Sequence, residues 1–434
     1  MFGKKLLIGF ISALLVLSSL TFAFAKTTVT FWSVFTGDPY KSSIQHIVDE
    51  FNKQNPDIEV KVTLVAASAV TDVSKLMTAV AGGVGPDIYT VDRFTAAQRG
   101  ATGILEPLND LIKASFGSVE TLQKEYLPFA WDEATWDGKV WVLPFDTDDR
   151  ALYYRRDHIR EVGLSGPPKT IAELDTYAEK LTKKDASGRF LRIGFIPWLA
   201  QGWHYTWGWA FGGEFYNPKT RKLTITDPRI VQSFEWQKSY ADKYGIAAIQ
   251  SFSSAFGSEA QDPFIMGMVS MKVDGDWTLA FMDKFAPKMK WGVDYGVTYI
   301  PRPAELAKKP ITWAGGWSFG IPKGAKHAKE AFEFMKFACG PIGQKTYSIE
   351  TLHLPTVAEL LKDKDIRGER RHAFFVDLLR YAKNRPPLPV GALLWDELTA
   401  ARDAVINGQK TPLKACQDVE ARVQPELDKF FAGK

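Results

Sequence analysis

Two tryptophans stand beside residues that clear room for them. Trp277 ends the stretch DGDW (274–277), and Trp317 follows two glycines in TWAGGWSFGIP (312–322). An indole in such a place either fills a core or lies open as a flat apolar platform on which a ligand ring can stack. The chain holds 14 Trp, 14 Tyr and 29 Phe, an aromatic excess that favours a stacking ligand. The other chemistries a chain can carry are hard to find here. AGGVGPD (81–87) is glycine-rich but follows a helical pattern and lacks the GK[ST] ending of a phosphate-cradling loop. The six histidines form no HExxH and no Cys/His cluster, so no metal site is expected. No GxSxG elbow is present, and neither catalytic residues nor a cofactor are expected.

The N-terminus carries Lys4 and Lys5, an apolar run, and Ala23-Phe24-Ala25. That is the pattern of a secretory leader, 1–25, cleaved after Ala25. The mature chain would then lie in the periplasm or outside the cell, with no membrane insertion of its own. Removing the leader leaves 434 − 25 = 409 residues, enough for about two to three domains. The net charge falls from +4 to +4 − 2 = +2, and no Lys/Arg run suggests a nucleic-acid partner. Cys339 and Cys416 allow at most one disulfide. A core this large does not require it, and two buried free thiols are expected.

These aromatic residues must be positioned by a regular frame. Val29 and Phe31 alternate with polar neighbours, a strand; Ile44, Ile47, Val48 and Phe51 then mark one face of a helix that Asn55-Pro56 stops. EVKVTLV (59–65) alternates again, Val73, Leu76, Met77 and Val80 repeat the helical spacing up to Gly82, and DIYTVD (87–92) reads as a third strand. Strand–helix–strand–helix–strand at this rhythm predicts a parallel α/β sheet. Thr36, Asp38 and Tyr40 lie where the first strand hands over to its helix, a natural binding edge of such a sheet. The pattern restarts after residue 150: a capping box at Thr170 and Glu173, a strand in RIGFIP (192–197), helices over 227–243 and 257–267, and a strand through Val269, Met271 and Val273. Beyond Ala325 the chain is mainly helical. Two α/β lobes account for this better than one very large sheet.

Taken in order, TVTFWSVFTGD, IVDEFNKQNPDIEVKV, GGVGPDIYTVD, WDGKVWVLPFDTDDRALYYRRDHI, PPKTIAELDTYAEKLTK, GMVSMKVDGDW, DYGVTYIP, WAGGWSFGIPKGAKHAKEAFEFMKF and RPPLPV resemble the family 1 extracellular solute-binding proteins. These are the sugar-capturing components of ABC importers, among them maltose- and trehalose-binding proteins, and the likeness spans essentially the whole mature chain. The resemblance implies a periplasmic-binding-protein-like fold whose two α/β lobes are joined by a multi-crossing hinge, with the ligand cleft between them. It puts lobe 1 at 26–151 plus 317–352, lobe 2 at 155–311 plus 357–434, and crossings near 152–154, 312–316 and 353–356. It makes Trp277 and Trp317 stacking platforms, and Trp32 another candidate. By family position Asp92, Asp148 and Arg385 would hydrogen-bond sugar hydroxyls, with Asp146 and Asp149 as neighbours of the second. One tryptophan of WHYTWGW (203–209), assigned as Trp207, would line a further subsite. Gly316 would let the backbone approach the ligand and leave an N–H free for it.

The implied partners are a di- or oligosaccharide and the permease subunits of an ABC transporter, with the protein itself a monomer. Two other classes compete. A secreted glycoside hydrolase would cast Asp92 and Asp148 as the two carboxylates astride a glycosidic bond. A binder of the same fold could take a sugar phosphate or polyol phosphate, which would call for more Arg or Lys converging on the cleft.

Overall fold

The strand Thr27–Ser33 forms because its apolar residues alternate, burying Val29 and Phe31 on one side. The computed structural model describes residues 26–68 and 73–432; the expected leader, 1–25, lies outside the described residues. The helix Tyr40–Gln54 buries the predicted stripe of Ile44, Ile47, Val48 and Phe51 and stops at Asn55. Thr27–Ser33 then pairs in parallel with both Ile58–Leu64 and Ile88–Asp92, as the strand–helix rhythm requires.

Two five-stranded sheets result. In the first, the order is Ile58–Leu64, Thr27–Ser33, Ile88–Asp92, Trp317–Gly320 and Leu143–Pro144. Trp317–Gly320 returns from late in the chain and runs antiparallel to Ile88–Asp92, with Trp317 directly opposite Asp92. In the second, the order is Tyr295–Thr298, Arg150–Arg155, Val269–Gly275, Phe190–Phe195 and Lys183–Lys184. Val269–Gly275 is buried at every position, as befits a central strand covered on both faces. Its last residue, Gly275, pairs with Arg150.

Short segments link the two sheets. Asp146–Thr147 pairs antiparallel with Leu354–Pro355, Asp148 bridges to Gly315, and Thr312–Trp313 pairs in parallel with Ala382–Lys383. At the expected crossing near 152–154, Leu152 and Tyr154 sit inside a strand of the second sheet, paired on both sides. The expected helix over 257–267 is also absent; that stretch holds only the single turn Glu259–Gln261. Asp262 precedes a proline, which disfavours the helical region, and its side chain accepts instead from the Phe264 amide.

The helices Pro228–Tyr244, Gly391–Ile406 and Pro412–Phe431 bury a cluster of Phe234, Leu394, Leu398, Val419 and Val423 that also encloses Cys416. Cys339 is buried beneath the first sheet, and both thiols are free. Among the described residues no helix is long and apolar enough to cross a membrane.

Candidate functional site

The C-terminal ends of strands in both sheets open onto one cavity of about 890 Å³. The end of Thr27–Ser33 leads into Phe35, Thr36, Asp38 and Tyr40, and the end of Ile88–Asp92 supplies Asp92 and then Phe94. Asp148 and Arg150 come from the start of a second-sheet strand, and Trp277 follows the end of its partner. Trp313, Gly316 and His353 come from the segments that link the sheets, and Trp317 opens the first-sheet strand Trp317–Gly320. Gln201 and Trp203, Arg385, and Trp395 complete the wall.

Aromatic and cationic groups alternate along this wall. The Trp277 ring stacks on His353, with centroids 6.0 Å apart at 26°. The Arg150 guanidinium lies 3.9 Å from the Trp313 ring centroid and 5.2 Å from that of Trp277. Arg385 sits 3.9 Å from the Phe94 centroid and 5.7 Å from that of Trp395. These are cation–π distances. Each guanidinium also has a carboxylate. Arg385 Nη2 donates to Asp92 Oδ1 at 2.9 Å, and Arg150 Nη1 donates to Asp148 Oδ1, which also accepts from the Gly315 amide at 2.8 Å. Burial penalises the Arg385 cation, but Asp92 and Glu133 overcome it and raise its pKa.

Behind the wall, three side chains converge without filling their hydrogen-bonding capacity. His353 Nδ1 lies 3.6 Å from Asp276 Oδ2 and 3.9 Å from Asp146 Oδ2, and all three atoms are buried and unpartnered. Burial pushes the Asp146 carboxyl up to about 8, and the Trp317 amide that donates to its Oδ1 only partly opposes this. Burial also raises Asp276 well above the usual carboxylate range and lowers His353 to about 4.

Of the residues singled out from the sequence, Thr36, Asp38, Tyr40, Asp92, Asp148, Trp277, Gly316, Trp317 and Arg385 line the cavity together. Trp207 does not. It is fully buried in the second lobe's core, edge-on to Phe195, and its Nε1 donates to the Pro197 carbonyl at 2.7 Å. Trp203, four residues earlier, is the one that reaches the wall. Trp32 is half-buried and packs with Leu76, Tyr89 and Val91, outside the cavity lining. Gly316 serves the crossing as well as the cavity. Its φ is +131°, and a Cβ there would lie 2.4 Å from the Asp146 carbonyl oxygen. The amide after it, that of Trp317, is taken by Asp146 at 2.6 Å and is not free for a ligand.

A model of the bacterial extracellular solute-binding protein family matches residues 46–368, well over half of the chain. The chain belongs to that family. This solute-binding protein is 26% identical over 349 residues to a probable ABC transporter-binding protein of Deinococcus radiodurans, covering 78% of this chain and 79% of the relative. It is 25% identical to an sn-glycerol-3-phosphate-binding periplasmic protein of Escherichia coli, with 94% of each chain covered. Among solved structures, mannotriose-bound CpMnBP1 aligns at a TM-score of 0.80 and 26% identity, covering 91% of this chain and 99% of that one. The two-lobed fold of the family is thus the fold of this chain.

Sequence reasoning missed Phe94, Gln98, Arg150, Trp203, Trp313, His353 and Trp395. The one usable signal was TWAGGW (312–317), in which Trp313 precedes the same glycine pair as Trp317.

Proposed function

We propose that this solute-binding protein captures a di- or oligosaccharide outside the cytoplasmic membrane and delivers it, as a monomer, to the permease of an ABC importer. The observation that carries this reading is the pairing of indoles with ion-paired carboxylates in one cavity. Trp277 and Trp317 offer flat apolar faces, with Trp313 buried beneath Arg150, and Asp92–Arg385 and Asp148–Arg150 offer acceptors and donors beside them. A pyranose has an apolar C–H face and a rim of hydroxyls, and this wall complements both. At about 890 Å³ the cavity lies toward the upper end of small-molecule pockets, which suits more than one sugar ring. The mannotriose held by CpMnBP1 supports the sugar class, and the leader-like segment 1–25 supports export.

The lobes would close on the sugar through contacts made to both of them, since a ligand shifts a conformational equilibrium only by its differential affinity. The test is calorimetric titration of the mature protein with mono-, di- and trisaccharides, followed by recovery of the ligand. Saturable binding of one sugar, recovered intact, is the expected result. Cleavage of that sugar would move the reading to a hydrolase, and silence across the panel would remove the sugar class.

A further inference from the structure

We propose that the two ion pairs of the cavity exclude anionic ligands, with Asp148 and Asp92 as specificity-determining residues that select an uncharged sugar over its phosphorylated form. The inference rests on the sugar reading above and adds the charge class of the ligand.

Three cations line the cavity, Arg99, Arg150 and Arg385. Arg150 and Arg385 are each paired with a carboxylate, although the buried Nε of Arg385 has no partner. Arg150 gives Nη1 to Asp148 and the Trp313 carbonyl and Nε to Gln201 Oε1, with indoles near its plane. Arg385 gives Nη2 to Asp92. Arg99 gives Nε to Thr95 Oγ1 at 3.0 Å and Nη1 to Tyr89 Oη at 3.3 Å. Against them stand five carboxylates, Asp38, Asp92, Asp148, Glu259 and Asp396, so the lining carries 3 − 5 = −2 when all are ionised. His353 adds no charge near neutral pH, because burial lowers it to about 4.

Helix N-termini, the other usual anion receptors, also lie beside the wall. Asp38 places a carboxylate at the start of Tyr40–Gln54, where it opposes an incoming anion, and accepts from the Ser42 hydroxyl at 2.6 Å. At the start of Gly391–Ile406 the Ala392 amide donates to Gln98 Oε1 at 3.1 Å. Arg99 has no carboxylate partner but is buried, so a phosphate entering here would meet Arg150 held by Asp148 and Arg385 held by Asp92. Exchange of either arginine strands a carboxylate beside a dianion, and like charges in a poorly hydrated site repel strongly. A hydroxyl needs no such exchange: it donates to the outer oxygen of a carboxylate whose other oxygen stays with its arginine.

Asp148→Asn keeps an acceptor for the Gly315 amide and removes the charge that neutralises Arg150; Asp92→Asn does the same for Arg385. The experiment titrates wild type and both variants with the best neutral sugar, its phosphorylated form and inorganic phosphate, after circular dichroism has established that each variant is folded. Wild type is expected to prefer the neutral sugar by about 100-fold or more, the scale of like-charge rejection, and to ignore millimolar phosphate. At least one variant is expected to narrow that ratio tenfold or to acquire saturable phosphate binding, whatever it loses in sugar affinity. Wild type binding the phosphorylated sugar as tightly as its parent, or inorganic phosphate at all, would overturn the proposal. So would two folded variants that leave the ratio and the phosphate response unchanged. If no neutral sugar binds, the sugar reading fails by itself, and the inorganic phosphate arm still decides the exclusion of anions.

Discussion

The backbone amide of Trp317 is held by Oδ1 of Asp146 at 2.6 Å, so the indole on the first sheet is tied directly to a linking segment between the sheets. The other indole obeys the same logic: Trp277 follows Asp276 and stacks on His353, which comes from another linking segment. Both rings are thus fixed to the parts of the chain that join the lobes rather than to mobile rim loops.

Trp277→Ala and Trp317→Ala are expected to weaken sugar binding by about 1–3 kcal/mol each while the fold persists. Trp207→Ala separates platform from core. Its ring is fully buried, so its loss should cost about 3–5 kcal/mol of stability and leave the affinity of the folded fraction close to that of wild type. Denaturation and calorimetry on the same three variants measure both quantities.

Arg93→Met is expected to destabilise the protein by about 3–5 kcal/mol, the usual cost of stranding one member of a buried ion pair. Arg93 and Glu133 are both fully buried; Arg93 Nε donates to Glu133 at 3.0 Å and Nη1 to the Asp146 carbonyl at 2.6 Å. Glu133→Gln should be milder, because burial outweighs Arg93 and pushes this carboxyl up to about 7. Equal losses from the two substitutions in urea would contradict that assignment.

Stability should fall as pH rises from about 6.5 to 8.5. Asp146 and Glu133, at about 8 and about 7, and Asp149 and Asp276, also raised by burial, hold protons in the folded protein that the unfolded chain releases near pH 4. Their contribution is complete below the unfolded value and is lost as pH climbs through the folded ones. His353 and His158, both lowered to about 4, act in the opposite sense, but only as pH falls below their ordinary value of 6.5. Above that value the carboxylates act alone. Melting temperatures across the window, with a shallower slope in Asp146→Asn, check the sign.

Both cysteines should resist a thiol reagent in the native protein and react fully once it unfolds. Burial raises Cys416 to about 12 and Cys339 well above its usual range, so neither offers thiolate at neutral pH. A prompt native-state reaction of either thiol would show that the helices around it open.

The parallel half of the first sheet was legible because period-2 strands and period-3.6 helices alternate cleanly from Val29 to Asp92; its antiparallel strands, Trp317–Gly320 and Leu143–Pro144, carry no such rhythm. Less regular segments were not legible. The crossing near 152–154 is implied by the family resemblance alone, and the run of charges before it, DTDDR (146–150), reads as loop. In the structure those charges are buried: Asp146 takes the Trp317 amide and Asp148 pairs with Arg150, while both carboxylate oxygens of Asp149 are without a partner. Trp203 and Trp207 differ by one helical turn, and only the packing of His204–Ala210 against Phe195 and Trp236 decides which ring is enclosed. Arg150, His353 and Trp395 belong to no local motif; they meet Trp277 and Trp313 only through tertiary contacts.

Asp92 and Trp317 face each other across one antiparallel ladder. Side chains so placed leave the same face of a sheet with Cβ atoms about 4.5–5.5 Å apart. The indole and the carboxylate are therefore set like the jaws of a caliper, on backbones whose spacing is fixed by ladder hydrogen bonds. On the proposed sugar reading, a ring seated on Trp317 would have its hydroxyl edge measured by that gap, so stereochemistry at this position would be judged by a rigid gauge. Arg385, which holds Asp92, and Trp395 are carried on a loop and a helix instead, so the rest of this wall lacks the ladder's fixed spacing.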